Sequence, residues 1–354
     1  MCPSSISRRN FLAGAICLSL AFVLSPSAAA EAGGKPWVLF EGKAGPGKGK
    51  HVVFVTGDDE YHSEEGMPVM ARILAERHGF KCTVLFAINK TTGVIDVGTP
   101  DNIPGLEALK TADVMIIFTR FRALPDEQMK YIADYIDSGK GIMGLRTATH
   151  AFKFDKPGAY QNYSFNSNDP AFKNGFGKQV LGETWVNHHG GHGSQSTLGL
   201  LATEAAGNPI LRGIKDGDIW GSTDVYAVNL PIAGATPLIM GQVLSGMKPS
   251  DPPAPGTEDP VTKKMSGKNF PMMPVAWTRS YTGPSGKAAR VFNTTMGGAM
   301  SGSHDWDSAG LRRLLVNATY WCAGLEAKIP ATANVDIVPG GEFKRGVKPQ
   351  DVAP

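Results

Sequence analysis

Cysteine is almost missing from this chain: there are four in 354 residues, and two of them, Cys2 and Cys17, lie within the first thirty. The other two, Cys82 and Cys322, fall in a predicted strand and a predicted helix, where a cysteine is expected to be buried and inert. A disulfide framework and a cysteine-based zinc site are thereby set aside. Also missing is a Gly-x-Ser-x-Gly turn between a strand and a helix, and neither internal cysteine occupies such a turn, which argues against a Ser-His-Asp or cysteine hydrolase. No Gly-x-Gly-x-x-Gly follows the first strand; Gly57-Asp58-Asp59-Glu60 stands there instead, so dinucleotide binding has little support. Charge of one sign is scarce, with 35 Lys and Arg against 32 Asp and Glu. That balance leaves no electrostatic footprint for nucleic acid. Long apolar runs are absent too: the stretch from Ala13 to Leu24 is about a dozen residues, too few to span a bilayer comfortably.

That stretch belongs with its flanks. Ser7-Arg8-Arg9-Asn10-Phe11-Leu12 is a twin-arginine pattern, and Ala28-Ala29-Ala30 offers a small-x-small cleavage site before Glu31. Residues 1–30 therefore read as a Tat signal peptide, and the mature protein is expected to be periplasmic or secreted, with no membrane association after cleavage. Ile16 ahead of Cys17 does not suit a lipoprotein site. Removing 30 of 354 residues leaves 324, and the loss of Arg8 and Arg9 takes the net charge from +3 to +1. That length suits one large α/β domain, and self-association as a homo-oligomer is compatible with it.

From residue 51 the pattern alternates. Predicted strands cover His51–Thr56, Lys81–Ala87, Asp113–Thr119 and Gly141–Leu145. Between them, Met67, Met70, Ala71 and Leu74 mark one helix, ended by Gly79, and Met129, Ile132, Ala133 and Ile136 mark another. Ser63 is expected to cap the first helix, with Glu64 and Glu65 exposed in its first turn and complementing the dipole. The order implies a doubly wound, mostly parallel, flavodoxin-like sheet. Three more strands, Pro237–Val243, Met273–Tyr281 and Ala289–Thr295, and a helix near Ser308–Ala323 imply antiparallel additions in the C-terminal half. Residues 31–50 read as a loose lead-in, 51–325 as the domain and 326–354 as a tail. Phe152–Gly182 reads as a long excursion over the sheet, and Ser245–Lys268 as an exposed insertion.

The candidate site lies at the carboxyl ends of the strands, where open α/β sheets bind ligands. Gly141–Phe152 has the scaffold of a nucleophile elbow, yet Arg146 holds the central place, followed by Thr147, Ala148, Thr149 and His150. After the first strand, Asp58, Asp59, Glu60 and His62 offer a general base, a metal ligand or a hydroxyl acceptor. Arg120, Arg122 and Arg146 suit an anionic group or neutralise that acidic turn, and pairing of Arg146 with Asp58 and Glu60 is expected. His188, His189 and His192 can ligate a divalent metal such as zinc, act as acid–base groups, or form a structural polar loop. Adjacent side chains on an extended backbone point to opposite sides, so at most two of the three are expected to converge. Asp224, Tyr226, His304 and Asp305 are outlying candidates, and Trp185, Trp220, Trp277 and Trp306 are available to stack on a sugar face.

Taken in order, Gly57–His62, Phe118-Thr119-Arg120, Gly144–His150, His188-His189-Gly-Gly-His192, Asn208-Pro209-Ile210, Thr223–Tyr226, Met273–Trp277 and Gly286–Gly297 resemble the ThuA-like (trehalose utilisation) domain. The resemblance runs from about Lys50 to Leu325. It implies a class I glutamine amidotransferase-like fold without the Cys-His-Glu triad, and a role on a sugar or sugar derivative, such as a keto-sugar or glycoside. Two departures stand out: Arg146 sits where such domains more often carry His, and Pro-Val-Ala-Trp277 replaces a common His-Pro-Val. On this reading Glu60, Asp59, Arg146, His150, His188 and His189 carry the chemistry. Asp58, His62, Arg120, Trp185, Asp224 and Tyr226 bind a small carbohydrate, and His188, His189 and His192 are the candidate metal ligands. The alternative is a non-catalytic carbohydrate-binding or scaffold module on a degenerate fold.

Overall fold

The computed structural model describes residues 34–352; the expected signal peptide lies outside them. A ten-stranded sheet organises the chain. Its strands are β1 (Trp37–Phe40), β2 (His51–Gly57), β3 (Lys81–Leu85), β4 (Val114–Thr119), β5 (Gly141–Leu145), β6 (Thr197–Leu201), β7 (Ile219–Gly221), β8 (Ala235–Val243), β9 (Met273–Thr282) and β10 (Ala288–Thr294). They lie in the order β1-β3-β2-β4-β5-β10-β9-β8-β6-β7. The run β3-β2-β4-β5-β10 is parallel throughout, and every other pairing is antiparallel. The parallel strands are buried on both faces, which is why β2 and β4 read as unbroken Val, Ile and Phe runs.

Helices cover the two faces. Helix α1 (Ser63–His78) and α3 (Ala309–Cys322) share one core with the sheet through Met67, Met70, Leu74, Leu311, Leu314 and Leu315. Helix α2 (Asp126–Ile136) packs Met129, Ile132 and Ile136 into the opposite core. Gly79 ends α1 in the left-handed conformation (φ 79°), its N–H turned back to the carbonyls of Leu74 and Ala75, a geometry that glycine adopts without steric cost. Among the described residues no helix is long and apolar enough to cross a membrane.

The expected boundaries need three corrections. Within the expected lead-in, Trp37–Phe40 forms the sheet edge, antiparallel to β3. The expected tail folds back: Val335 and Phe343 are buried, Phe343 stacks on Phe86 at 5.4 Å, and Val347 accepts the N–H of Ile95. These segments carry too few apolar residues to show a period, so only their destination reveals their role. Ser63 is the first helical residue rather than the cap. Its hydroxyl accepts the N–H groups of Gly57 and Asp58, tying the helix start to the end of β2. Glu64 is buried, paired with Arg345 at 2.9 Å, rather than exposed.

Candidate functional site

The parallel strands follow the flavodoxin-like order, in which the chain reverses direction of winding between β2 and β4; ligands bind outside the carboxyl ends of the strands at such a reversal. Three of the parallel strands are followed by a non-glycine residue in the left-handed region: His62 after β2 (φ 58°), Phe121 after β4 (φ 50°) and Arg146 directly after β5 (φ 44°). Such backbone costs about 1–3 kcal/mol per residue and collects at functional sites. Arg146 opens a short 3-10 turn, Arg146–His150. The shape is that of a nucleophile elbow, with a guanidinium in the nucleophile's place.

Arg146 is fully buried, and its partners differ from those expected. Nη1 donates to the carbonyls of Asp224 (2.6 Å) and Thr295 (2.8 Å); Nη2 donates to the Tyr61 hydroxyl (3.1 Å) and to Oδ1 of Asp224 (2.8 Å). The guanidinium lies 3.7 Å from the Tyr226 ring centre and 4.4 Å from that of Tyr61. Burial alone would lower its pKa, but the Tyr226, Tyr61 and Asp224 oxygens outweigh it and raise the value. Both terminal nitrogens are spent on protein, so Arg146 positions Asp224 and is closed to substrate. Asp58 and Glu60 are not its partners. Arg120 takes Asp59 (2.9 Å) and Glu60 (3.1 Å).

Asp224 is the hub. Burial would raise its pKa, but Arg146 and His188 hold it below the usual carboxylate range. Its Oδ2 meets Nδ1 of His188 at 2.7 Å, and Oδ1 meets Nδ1 of His192 at 3.3 Å. An ionised carboxylate can only accept, so both Nδ1 atoms carry protons. The two rings lie 4.5 Å apart, and Nε2 of His192 reaches Glu60 at 3.3 Å. Nε2 of His188 has no partner among the described residues, and that side chain is 31% exposed. Trp185 (5.9 Å) and Tyr226 (5.5 Å) flank the His188 ring. The cause is local: Asn187-His188 pairs antiparallel with Tyr226-Ala227, His188 opposite Tyr226. That two-residue ribbon carries the outlying Asp224 and Tyr226 into the centre.

His189 does not join its neighbours. Its Nε2 meets the carbonyl of Lys268 at 2.5 Å, on the far side of the ribbon, so it leaves the expected metal set and acid–base group. Donor atoms of His188, His192 and Asp224 lie within 4.8 Å of one another and could hold a cation. A second such group, His62, Glu64 and Glu65, forms at the start of α1.

Asp58 is also withdrawn from any ligand. Its Oδ1 accepts the N–H of Glu60 (2.8 Å) and that of Tyr61, and Oδ2 accepts the Thr147 hydroxyl (2.5 Å). Burial pushes this carboxyl up to about 6 against those bonds. His150 is buried among Phe121 (5.1 Å), Trp185 (5.6 Å) and Phe165 (6.3 Å). Burial first, then Arg120, Arg146 and His188, push its pKa well down, so it is neutral. Trp277 is core, its indole N–H on the Leu181 carbonyl (2.7 Å), and Trp306 stacks on His304 at 4.6 Å. Asp305 is a buried anchor that accepts from Thr223, Gly297 and Gly298 and so fixes the segment before Asp224. Tyr61, Thr147, Phe165 and Lys268 were not foreseen; nothing in their spacing sets them apart from core or loop residues.

A flavodoxin-like sheet whose elbow carries a buried Arg–Asp pair and two imidazoles defines an α/β domain without a nucleophile at the elbow. The chain belongs to the trehalose utilisation (ThuA) family, whose model matches residues 51–322. A ThuA-like protein from Parabacteroides merdae is similar in structure, with a TM-score of 0.45 and 13% identity, over 77% of this chain and 90% of its own. Another from Bacteroides uniformis has a TM-score of 0.46 and 17% identity, over 79% and 92%. Among curated proteins no relative matches.

Proposed function

We propose that this ThuA-family chain is exported by the twin-arginine route and acts on a small sugar or sugar derivative, such as a keto-sugar or glycoside, by acid–base chemistry. The observation that carries the reading is the 2.7 Å contact between Asp224 and Nδ1 of His188. Arg146 keeps Asp224 ionised, Asp224 holds the proton on Nδ1, and Nε2 of His188 is left to take or give a proton at the substrate. The Trp185 and Tyr226 rings beside it suit the apolar face of a sugar. Glu60 and Asp59, held by Arg120 at the rim, suit sugar hydroxyls.

The test is a turnover screen of the mature protein on keto-sugars and glycosides, with His188→Ala beside it. Loss of about a hundredfold or more in turnover is expected, in a variant that still melts in one cooperative transition; full activity in the variant refutes the role. Sugar binding without turnover in the unaltered protein would instead favour a binding module. The spacing of His188, His192 and Asp224 favours a second reading, a divalent cation between them. Elemental analysis with a chelator-treated control separates the two: stoichiometric metal whose removal lowers the melting temperature supports the cation, and no metal with no chelator effect supports acid–base work.

A further inference from the structure

The segment between Phe152 and Gly182 serves two places at once. Phe165 packs against Phe121 and His150, at the His188 site. The residues before and after it line a different concavity, an open cleft of about 620 Å³, within the size range of ligand sites. Four side-chain amides, Gln161, Asn162, Asn166 and Asn168, face this cleft together with Asp169. Among the described residues no lysine, arginine or histidine lines it.

That lining selects its ligand. Without a cation to neutralise it, a phosphate, sulfate or carboxylate group would be placed opposite Asp169 uncompensated. A neutral ligand carries no such penalty. Each amide offers a donor and an acceptor side by side, the arrangement that adjacent sugar hydroxyls complement. Oδ1 of Asn162 is buried and has no hydrogen-bond partner. An orphaned buried acceptor costs about 1–3 kcal/mol, so the Asn162 amide gains by turning towards the cleft it lines, where a ligand hydroxyl can meet it. Phe154, half-buried and stacked on Phe152 at 6.2 Å, gives the cleft an apolar wall for the C–H face of a ring.

We propose that this cleft is a second carbohydrate subsite, which binds a neutral oligosaccharide. It extends the sugar reading of the His188 site, and that reading gives it context, but it stands on different residues. The experiment is calorimetric titration of the mature protein with cellopentaose, maltopentaose and, as an acidic control, pentagalacturonic acid. At least one neutral probe should bind. The double variant Asn162→Ala/Asn166→Ala should weaken it about tenfold or more, the loss of one to two hydrogen bonds, while His188→Ala leaves it unchanged. The double variant should keep its fold, because Asn166 is exposed and Oδ1 of Asn162 has no bond to lose. If it does not, Asn166→Ala/Asn168→Ala, both at exposed positions, takes its place with the same expectation. The proposal is overturned by no binding of either neutral probe, by equal binding in the variant, by tighter binding of the acidic probe, or by loss of binding in His188→Ala. A catalytically silent His188 site would leave all four outcomes readable.

Discussion

Replacing Asp58 by Asn should change how stability depends on pH, and the size of the change follows from the carboxyl's surroundings. In the folded protein burial pushes its pKa from 3.8 to about 6. A raised folded pKa means that the native state binds the proton more tightly than the unfolded chain. The associated stability is therefore fully present below about pH 4 and is lost as pH rises towards and through 6. Two units and a fraction, at about 1.4 kcal/mol each, amount to roughly 3 kcal/mol. Asparagine keeps the geometry: its Oδ1 can accept from Glu60 and Tyr61, and its amide can donate to Thr147. Urea unfolding of both proteins across pH 3.5 to 7.5 measures the difference directly, because all other titrating groups cancel. The difference should move in favour of Asn by about 3 kcal/mol across the window, then level off. A difference that is flat with pH, or that moves the other way, would show that the protein does not hold this carboxyl against ionisation.

Two further substitutions probe the frame around the site. Arg146→Met strands the buried Asp224 carboxylate, and denaturant unfolding should show a loss of about 3–5 kcal/mol. Adding Asp224→Asn should recover part of that loss, and no recovery would mean that the pair is not coupled as drawn. Phe343→Ala removes a ring that stacks on Phe86 inside the core, so the free energy of unfolding should fall by about 3–5 kcal/mol; a change below about 0.5 kcal/mol, the size expected at an exposed site, would return residues 326–352 to the status of a tail.

Periodicity placed nearly every buried element because burial is what makes a sequence periodic. The apolar runs of β2, β4 and β5 and the spaced faces of α1, α2 and α3 appear within a residue or three of where their patterns put them. Residue order also carried the family. It marked the odd arginine at the elbow, and alternation along an extended backbone predicted that His188, His189 and His192 could not all converge. The partners were a different matter. The sequence points to Asp58 and Glu60 as the partners of Arg146, which pairs instead with Asp224, delivered by a two-residue ribbon from nearly eighty positions away. Neither that ribbon nor the edge strand Trp37–Phe40 is long enough to show a period. Which carboxylate meets which guanidinium is set by non-local packing, and the same holds for Glu64 meeting Arg345 across the molecule. The sequence by itself determined the sheet and its helices, since those follow from local propensity and hydrophobic spacing. Only the tertiary structure decided which charges pair, which imidazoles face Asp224 and which of the acidic groups are sealed from ligand, because each depends on contacts between segments far apart in the chain.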